Sequence, residues 1–346
     1  MAPLKVGVIG FRNNGYGHAK QIAASPKTRL VAVADLVESR RQTAREEFGL
    51  EQVYGDYREL IDQSHCEAVV ISLPVFLHCQ AVLHALNAGK HVLCEKPPAV
   101  NAREARRMVS LARKKGLVLS WGLQRRFLPG MRVARREIGA GRLGSIYRIN
   151  ARYTVARSTL LSADAYRMRK SGGGVFFDLG VHALDMAWSL LGCPKARRAV
   201  AANHTAFPDW NAVERREDMA EDNSLAMVFF EGGAVVSVET SFCANHSDPT
   251  QHGPQLQILG DQGGLHIPSL TFVWGGPAPT SLKRRVLKAP KSWEKNATAQ
   301  MHANFADAVA GRAELAIPAE QGVELMRMLD AVIKSAQQDR EIRLGP

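Results

Sequence analysis

The run Lys5-Val6-Gly7-Val8-Ile9-Gly10, continued by Phe11-Arg12-Asn13-Asn14-Gly15-Tyr16-Gly17-His18, decides how the rest of the chain is read. Its first part is apolar and β-rich and stops at glycine, as a buried strand does. A glycine loop and a helical stretch from Ala19 to Ala24 follow, and Leu30 to Ala34 forms a second apolar strand closed by Asp35. Strand, glycine loop, helix, strand and acid, with the acid twenty residues beyond Gly15, make up the dinucleotide-binding βαβ signature. Loop amides at Gly10, Phe11, Arg12, Asn13 and Gly15 and the helix N-terminus suit a pyrophosphate, and Asp35 suits the adenosine ribose hydroxyls. The usual loop is G-x-G-x-x-G, and Arg12 stands where the middle glycine belongs. Its guanidinium either supplies a cation to the phosphates or crowds them, and Gly17 restores some of the missing room.

The alternation continues outward. Glu67 to Leu73 reads as a strand ending at Pro74, Phe76 to Ala88 as a helix, His91 to Cys94 as a strand followed by Glu95-Lys96-Pro97-Pro98, Ala102 to Lys115 as a helix and Leu117 to Trp121 as a strand. Strands alternating with helices imply a parallel sheet covered on both faces, with its ligand at the carboxyl ends of the strands. Gly10, Asp35, Pro74 and Lys96 all stand at such ends, and Pro97 restricts the backbone of Lys96.

Composition narrows the function. The 346 residues are 46% hydrophobic, enough for one large or two ordinary cores. Five cysteines without C-x-x-C spacing argue against a disulfide framework and against a metal site. No apolar run reaches membrane-span length, and Met1 to Lys5 runs straight into a strand, so a reducing, cytoplasmic setting without signal peptide or membrane is expected. The net charge of +12 is scattered; the group from Arg103 to Lys115 alternates with Ala105, Met108, Val109 and Leu111 as the wet face of a helix. With no recognition motif beside it, the charge does not point to nucleic acid.

Beyond Gly122 the pattern changes. Pro129 to Ile138 reads as a helix and Ile146 to Val155 as a strand; Leu225 to Phe230 with Ala234 to Ser241, and Leu256 to Leu259 with Leu265 to Ile267, read as hairpins. Gln300 to Ala310 and Glu320 to Gln337 read as helices, Lys283 to Thr298 carries no assignable element, and Asn245-His246 and Gln251-His252 fall in a polar loop. The expected fold is α/β: a Rossmann dinucleotide-binding domain over 1–123 and an α+β domain with a mainly antiparallel open sheet over 124–346. Within the second domain, Gly172-Gly173-Gly174 precedes Asp178, His182 and Asp185, spaced to share one face of a helix beside Val181, Leu184, Trp188 and Leu191. A carboxylate there can polarise an imidazole that titrates near neutrality; a histidine merely capping the helix is the alternative.

Together these segments resemble the Gfo/Idh/MocA oxidoreductases, the family of glucose–fructose oxidoreductase and inositol dehydrogenase. The resemblance rests on Val6 to Gly10, Val33-Ala34-Asp35, Pro74-x-x-x-His78, Ala88 through Glu95-Lys96-Pro97, Arg126-Phe127, Gly172 through Asp178-x-Gly180-x-His182-x-x-Asp185, and Phe305-Ala306-Asp307-Ala308. It departs at Arg12, at Leu73 for the usual threonine, at Pro98 for the usual leucine, and at Tyr166-Arg167 where many members have Trp-Arg. The resemblance implies a nicotinamide cofactor, NAD with NADP as the alternative because Arg40 and Arg41 follow Asp35. It implies oxidation or reduction of a hydroxyl or ketone on a sugar or cyclitol, and a homodimer or homotetramer built through the C-terminal sheet. Lys96, Asp178 and His182 are then the catalytic residues, with Arg126 and Tyr166 at the substrate. Leu73, Pro74, His78, Glu95, Lys96, Arg40 and Arg167 join the cofactor site, with Glu95 near the nicotinamide-side ribose. Two other readings share these motifs: a glycoside hydrolase or lyase that retains NAD as a transient oxidant, and a non-catalytic NAD-dependent sensor.

Overall fold

Six strands form a fully parallel sheet in the order β3-β2-β1-β4-β5-β6: β1 (Leu4–Ile9), β2 (Thr28–Ala34), β3 (Gln52–Tyr54), β4 (Ala68–Ile71), β5 (His91–Cys94) and β6 (Leu119–Trp121). The structure, a computed structural model, describes residues 2–156, 173–206, 220–244, 253–276, 281–291 and 296–345. Helices α1 (Asn13–Ala24), α2 (Glu38–Phe48), α3 (Tyr57–Gln63), α4 (Val75–Asn87) and α5 (Ala102–Lys115) alternate with the strands. Each strand therefore loses both faces to helices, which is why β1 and β4 read as unbroken apolar runs: all of Ala68 to Ile71 is buried. Strand order reverses between β1 and β4, and the crevice at their carboxyl ends is the switch point where doubly wound sheets take ligands.

Local chemistry sets the helix ends. The Asn101 side chain accepts the Glu104 backbone N–H at the start of α5, and Gly116 closes it in the left-handed region at φ 65°. Ala105, Met108, Val109 and Ala112 are buried on α5, so its arginines and lysines are the solvated face that the periodicity implied. The unit containing this sheet comprises Met1–Gln124 and also Lys295–Met326. The returning segment holds α8 (Ala297–Val309) and the start of α9 (Ala319–Gln338). It is anchored by Ser120 Oγ donating to Ile317 O at 3.0 Å and Trp121 Nε1 donating to Ala319 O at 3.0 Å. Gly322 makes room for that indole, because a Cβ there would lie 2.1 Å from Trp121 Nε1.

The second unit comprises Arg125–Glu294 and Arg327–Pro346. After a 3₁₀ turn (Gln124–Phe127) come α6 (Pro129–Gly139), β7 (Ile146–Ala156), α7 (Val181–Leu190), β8 (Ala196–His204), β9 (Asn223–Phe230), β10 (Val235–Ala244), β11 (Gly253–Gly260), β12 (Gly263–Ile267), β13 (Thr271–Trp274), β14 (Lys283–Val286) and β15 (Ile342–Arg343). The strands form one sheet in the order β14-β13-β12-β11-β7-β10-β9-β8-β15, antiparallel except where β7 lies parallel to β10. The stretch from Lys283 that had no expected element supplies β14 and the first turn of α8. In β9, Ser224, Ala226, Val228 and Phe230 are buried while Leu225 and Met227 are exposed. That is the period of a strand with one covered and one open face. Among the described residues, no helix is long and apolar enough to cross a membrane.

Candidate active site

The glycine loop is built as the βαβ reading requires, by close backbone approach. Gly10 has φ +83°, and a Cβ there would lie 2.4 Å from Ser72 O at the end of the neighbouring β4. A Cβ at Gly15 would lie 1.7 Å from Gly10 O, so helix and loop touch without a side chain between them. Helix α1 begins at Asn13 rather than Ala19 and so brings its unbonded N–H groups to the loop itself. Arg12 is its N-cap with φ −81°, a conformation any residue adopts, which explains why a glycine is dispensable there. Gly17 lies within the helix with open space around its Cβ position, so it provides no special room. Arg12, Asn13 and Asn14 are exposed.

At the end of β2 the Asp35 carboxylate accepts the Phe11 N–H at 2.7 Å and the Val37 N–H at 2.9 Å. Arg40 approaches it at 3.3 Å, and Arg41 donates to the Asp35 carbonyl at 2.6 Å. Asp35 thus ties the glycine loop to the end of β2. Arg40 offsets part of its charge. Leu73 and Pro74 follow β4, with Pro74 capping α4. His78 is buried, with Nδ1 3.0 Å from Pro97 O and Nε2 2.8 Å from Leu73 O, bracing two segments that border the crevice. Burial pulls its pKa down and the two carbonyls oppose that pull.

Lys96 is buried at 8% exposure two residues after the end of β5, and its peptide bond to Pro97 is cis. The Glu95 carboxylate accepts the Lys96 backbone N–H at 3.0 Å and faces His18 Nε2 at 2.8 Å. On its far side His18 Nδ1 lies 2.9 Å from His302 Nε2 on α8. All three side chains are buried. Glu95 is therefore engaged within its own domain through both carboxylate oxygens. Neither His18 nor His302 was among the residues expected from sequence, because α8 lies 284 positions away.

In the second unit the glycine-rich segment does something that its spacing alone does not show. Phe176–Gly180 is a π-helical turn that runs directly into α7. It widens the turn between Asp178 and His182, so the even four-residue helical spacing assumed for them is replaced by a bulge of the kind often found at functional sites. Gly180 permits it: a Cβ there would lie 2.8 Å from the Phe176 ring. Gly174, at φ +125°, leaves space for the Glu221 carboxylate, which accepts the Phe176 N–H at 3.2 Å. Val175 N–H donates to Glu221 O at 3.0 Å, so Glu221 holds the start of the turn.

His182 is buried at 5% exposure, with the Tyr153 ring 6.2 Å away and tilted by 43°. Arg125 lies over that tyrosine at 4.7 Å. Arg126, expected at the substrate, pairs with a carboxylate of α7. Its guanidinium is buried and bidentate on Asp185 of α7, with Nη2–Oδ1 2.6 Å and Nε–Oδ2 3.0 Å. A buried pair of this geometry locks α7 to the segment before α6. Asp185 is spent on the same pair. Tyr166, Arg167 and Gly172 lie outside the described residues, as do Asn245, His246, Gln251 and His252.

A sheet of this order, a glycine cradle that any Cβ would fill and an acid at the end of β2 fit a dinucleotide; the chain is an oxidoreductase with an NAD-binding Rossmann domain. It belongs to the Gfo/Idh/MocA family: residues 4–123 match the oxidoreductase family's NAD-binding Rossmann fold and residues 135–344 its C-terminal alpha/beta domain. The chain is 27% identical to the D-glucoside 3-dehydrogenase of Escherichia coli, covering 99% of this chain and 98% of that protein. It is 31% identical to the dTDP-3,4-didehydro-2,6-dideoxy-alpha-D-glucose 3-reductase of Streptomyces violaceoruber, covering 88% and 85%. Its fold matches that of levoglucosan dehydrogenase in complex with NADH at a TM-score of 0.86, with 23% identity and 99% of both chains covered.

Proposed function

We propose that this protein catalyses reversible hydride transfer between NAD and a secondary hydroxyl or ketone of a sugar, cyclitol or sugar derivative. The observation that carries the reading is the conjunction, in one chain, of the Gly10–Gly15 cradle with a buried lysine at a strand end, half-buried Asp178 on the π-turn and buried His182 at the start of α7. The relatives named for glucoside, inositol and deoxysugar oxidoreduction support the substrate class. NAD, when bound, supplies hydride acceptance at the nicotinamide ring. The chain's residues supply the rest. The α1 N-terminus and the loop amides hold the pyrophosphate, Arg12 adds a cation, and Asp35 takes the adenosine ribose. His182 takes the hydroxyl proton, Asp178 polarises it or grips a neighbouring hydroxyl, and Lys96 stabilises the alkoxide character that grows as the proton leaves. Tyr166 and Arg167 are proposed to help position the ligands.

The test is a panel of sugars, cyclitols and sugar phosphates followed by NADH absorbance. Turnover of added NAD with one of them is expected. NAD released only on denaturation, with hydrolysis or elimination but no net NADH, would overturn the reading in favour of retained-cofactor chemistry. Exposed Leu225 and Met227 on the open face, beside the Arg152–Glu239 and Asn150–Gln257 pairs, support a homodimer or homotetramer through this sheet. Light scattering of wild type and Leu225→Glu tests it.

A further inference from the structure

Glu95, His18 and His302 form a polar string inside the first domain that the hydride-transfer scheme does not use. It runs from the residue before Lys96, through α1, to α8 in the returning segment, with contacts of 2.8 and 2.9 Å. Three titratable groups in a covered interior are not expected for stability alone, since buried charge is often replaced by apolar packing without loss. The backbone makes a slot for them: a Cβ at Gly122 would lie 2.9 Å from both Glu95 Cδ and Oε1. We infer that this string is a positioning device for Lys96, in which His18, backed by His302, holds the Glu95 carboxylate in direction and charge so that it orients the Lys96 backbone and stabilises its ammonium.

The hydrogen-bond pattern supports this assignment. One carboxylate oxygen accepts from the Lys96 N–H and the other faces His18 Nε2, which therefore carries the proton. Burial alone would raise the Glu95 pKa. The His18 hydrogen bond, neighbouring charges including Lys96, and the Lys96 N–H outweigh burial and keep the carboxylate ionised. Burial, and then His18, push His302 well below the usual histidine range, so it is neutral. The groups facing the carboxylate are His18 on α1, Lys96 in its own segment, His78 on α4 and the Cys94 thiol at the end of β5. His302 reaches it through His18. The inference rests on the reading of Lys96 as a substrate-facing group, and its test requires no substrate.

Brief reductive methylation by formaldehyde and cyanoborohydride reacts with the uncharged amine, and peptide mass mapping then follows Lys96 against pH, with exposed Lys114 and Lys115 as controls. In His18→Leu the Glu95 carboxyl loses the donor that offsets its burial and fixes its direction, its hold on the ammonium weakens, and the Lys96 midpoint should fall by about one pH unit. His302→Leu should shift it in the same direction by less, and His18→Gln, which keeps a donor, should restore it. If His18→Leu does not fold, the other two variants and Glu95→Gln carry the comparison, with Glu95→Gln expected to give the full shift. A Lys96 profile that is the same in wild type and folded variants, flat profiles included, overturns the inference. It does so whatever the NADH screen finds, so the two failures are distinguishable.

Discussion

Two turns in this molecule depend on absent side chains, and they use the absence in opposite ways. At Gly10 and Gly15 the missing Cβ atoms let main chain meet main chain, and what faces the crevice is a row of N–H groups on α1. At Gly174 and Gly180 the missing Cβ atoms admit other side chains, the Glu221 carboxylate and the Phe176 ring, and what is presented are the side chains Asp178 and His182. The first turn suits an anion by backbone geometry, in the proposed reading, and tolerates Arg12 in place of a glycine because that position has an ordinary φ. The second positions chemistry by packing, and its tolerance for change is set by what lies against it.

The largest effect that can break this contrast falls on the side chains. Lys96→Ala and His182→Ala should each lose about a hundredfold or more in kcat while NAD affinity stays near wild type by fluorescence titration; near-normal kcat would remove that residue from the mechanism. Next comes an exchange of symptoms. Gly15→Ala forces a clash with Gly10 O that costs about 1–3 kcal/mol and should weaken NAD by ten- to a hundredfold. Gly180→Ala displaces the Phe176 ring and should lower kcat with NAD affinity kept. If both variants lose the same parameter, the two turns are not built on different principles.

Smaller effects sharpen the anion side. Arg12→Gly should weaken NAD by roughly tenfold in calorimetry if its guanidinium pairs with phosphate; a tighter complex would mean that it only crowds the loop. NADP should bind more weakly than NAD by only a few-fold, since Arg40 at 3.3 Å softens the repulsion from Asp35. Tighter NADP would reverse that assignment. The smallest effect lies away from both turns, where Asp307 on α8 meets Lys27 at 2.5 Å and Arg312 at 2.8 Å. The Lys27 hydrogen bond, then Arg312, hold its carboxyl below the usual range. Stability from this carboxylate is present above its unfolded pKa near 4 and is lost as pH falls through the lowered folded value. Asp307→Asn should therefore reduce stability at pH 7 slightly, by less than about 1 kcal/mol and with a correspondingly small drop in Tm, and the gap from wild type should close in acid.

The parallel sheet was legible because burial on both faces writes itself as apolar runs, and the acid after β2 sits at a fixed distance from the loop. The start of α1 was not, since Gly15 and Gly17 look like loop residues whether or not they are helical. The π-turn was invisible for a related reason: its hydrogen bonds shift by one residue while Asp178 and His182 keep their places in the sequence. Arg126 and Asp185 were recognisable as a marked pair of charged residues, but nothing in their spacing distinguishes a buried strut from a substrate clamp. His18, His302, Tyr153 and Glu221 depend on contacts between distant segments, and a lone histidine, tyrosine or acid carries no local sign of its partner.

The outermost strand of the larger sheet, β14, is the sequence Lys283-Arg284-Arg285-Val286, every residue of it exposed, while the opposite border, β15, is two residues long. A sheet edge offers unpaired amides to any extended chain that drifts past, and three adjacent cations on one border and a stub on the other discourage that encounter. Crowded solutions of this protein should accordingly resist edge-to-edge growth into fibrils.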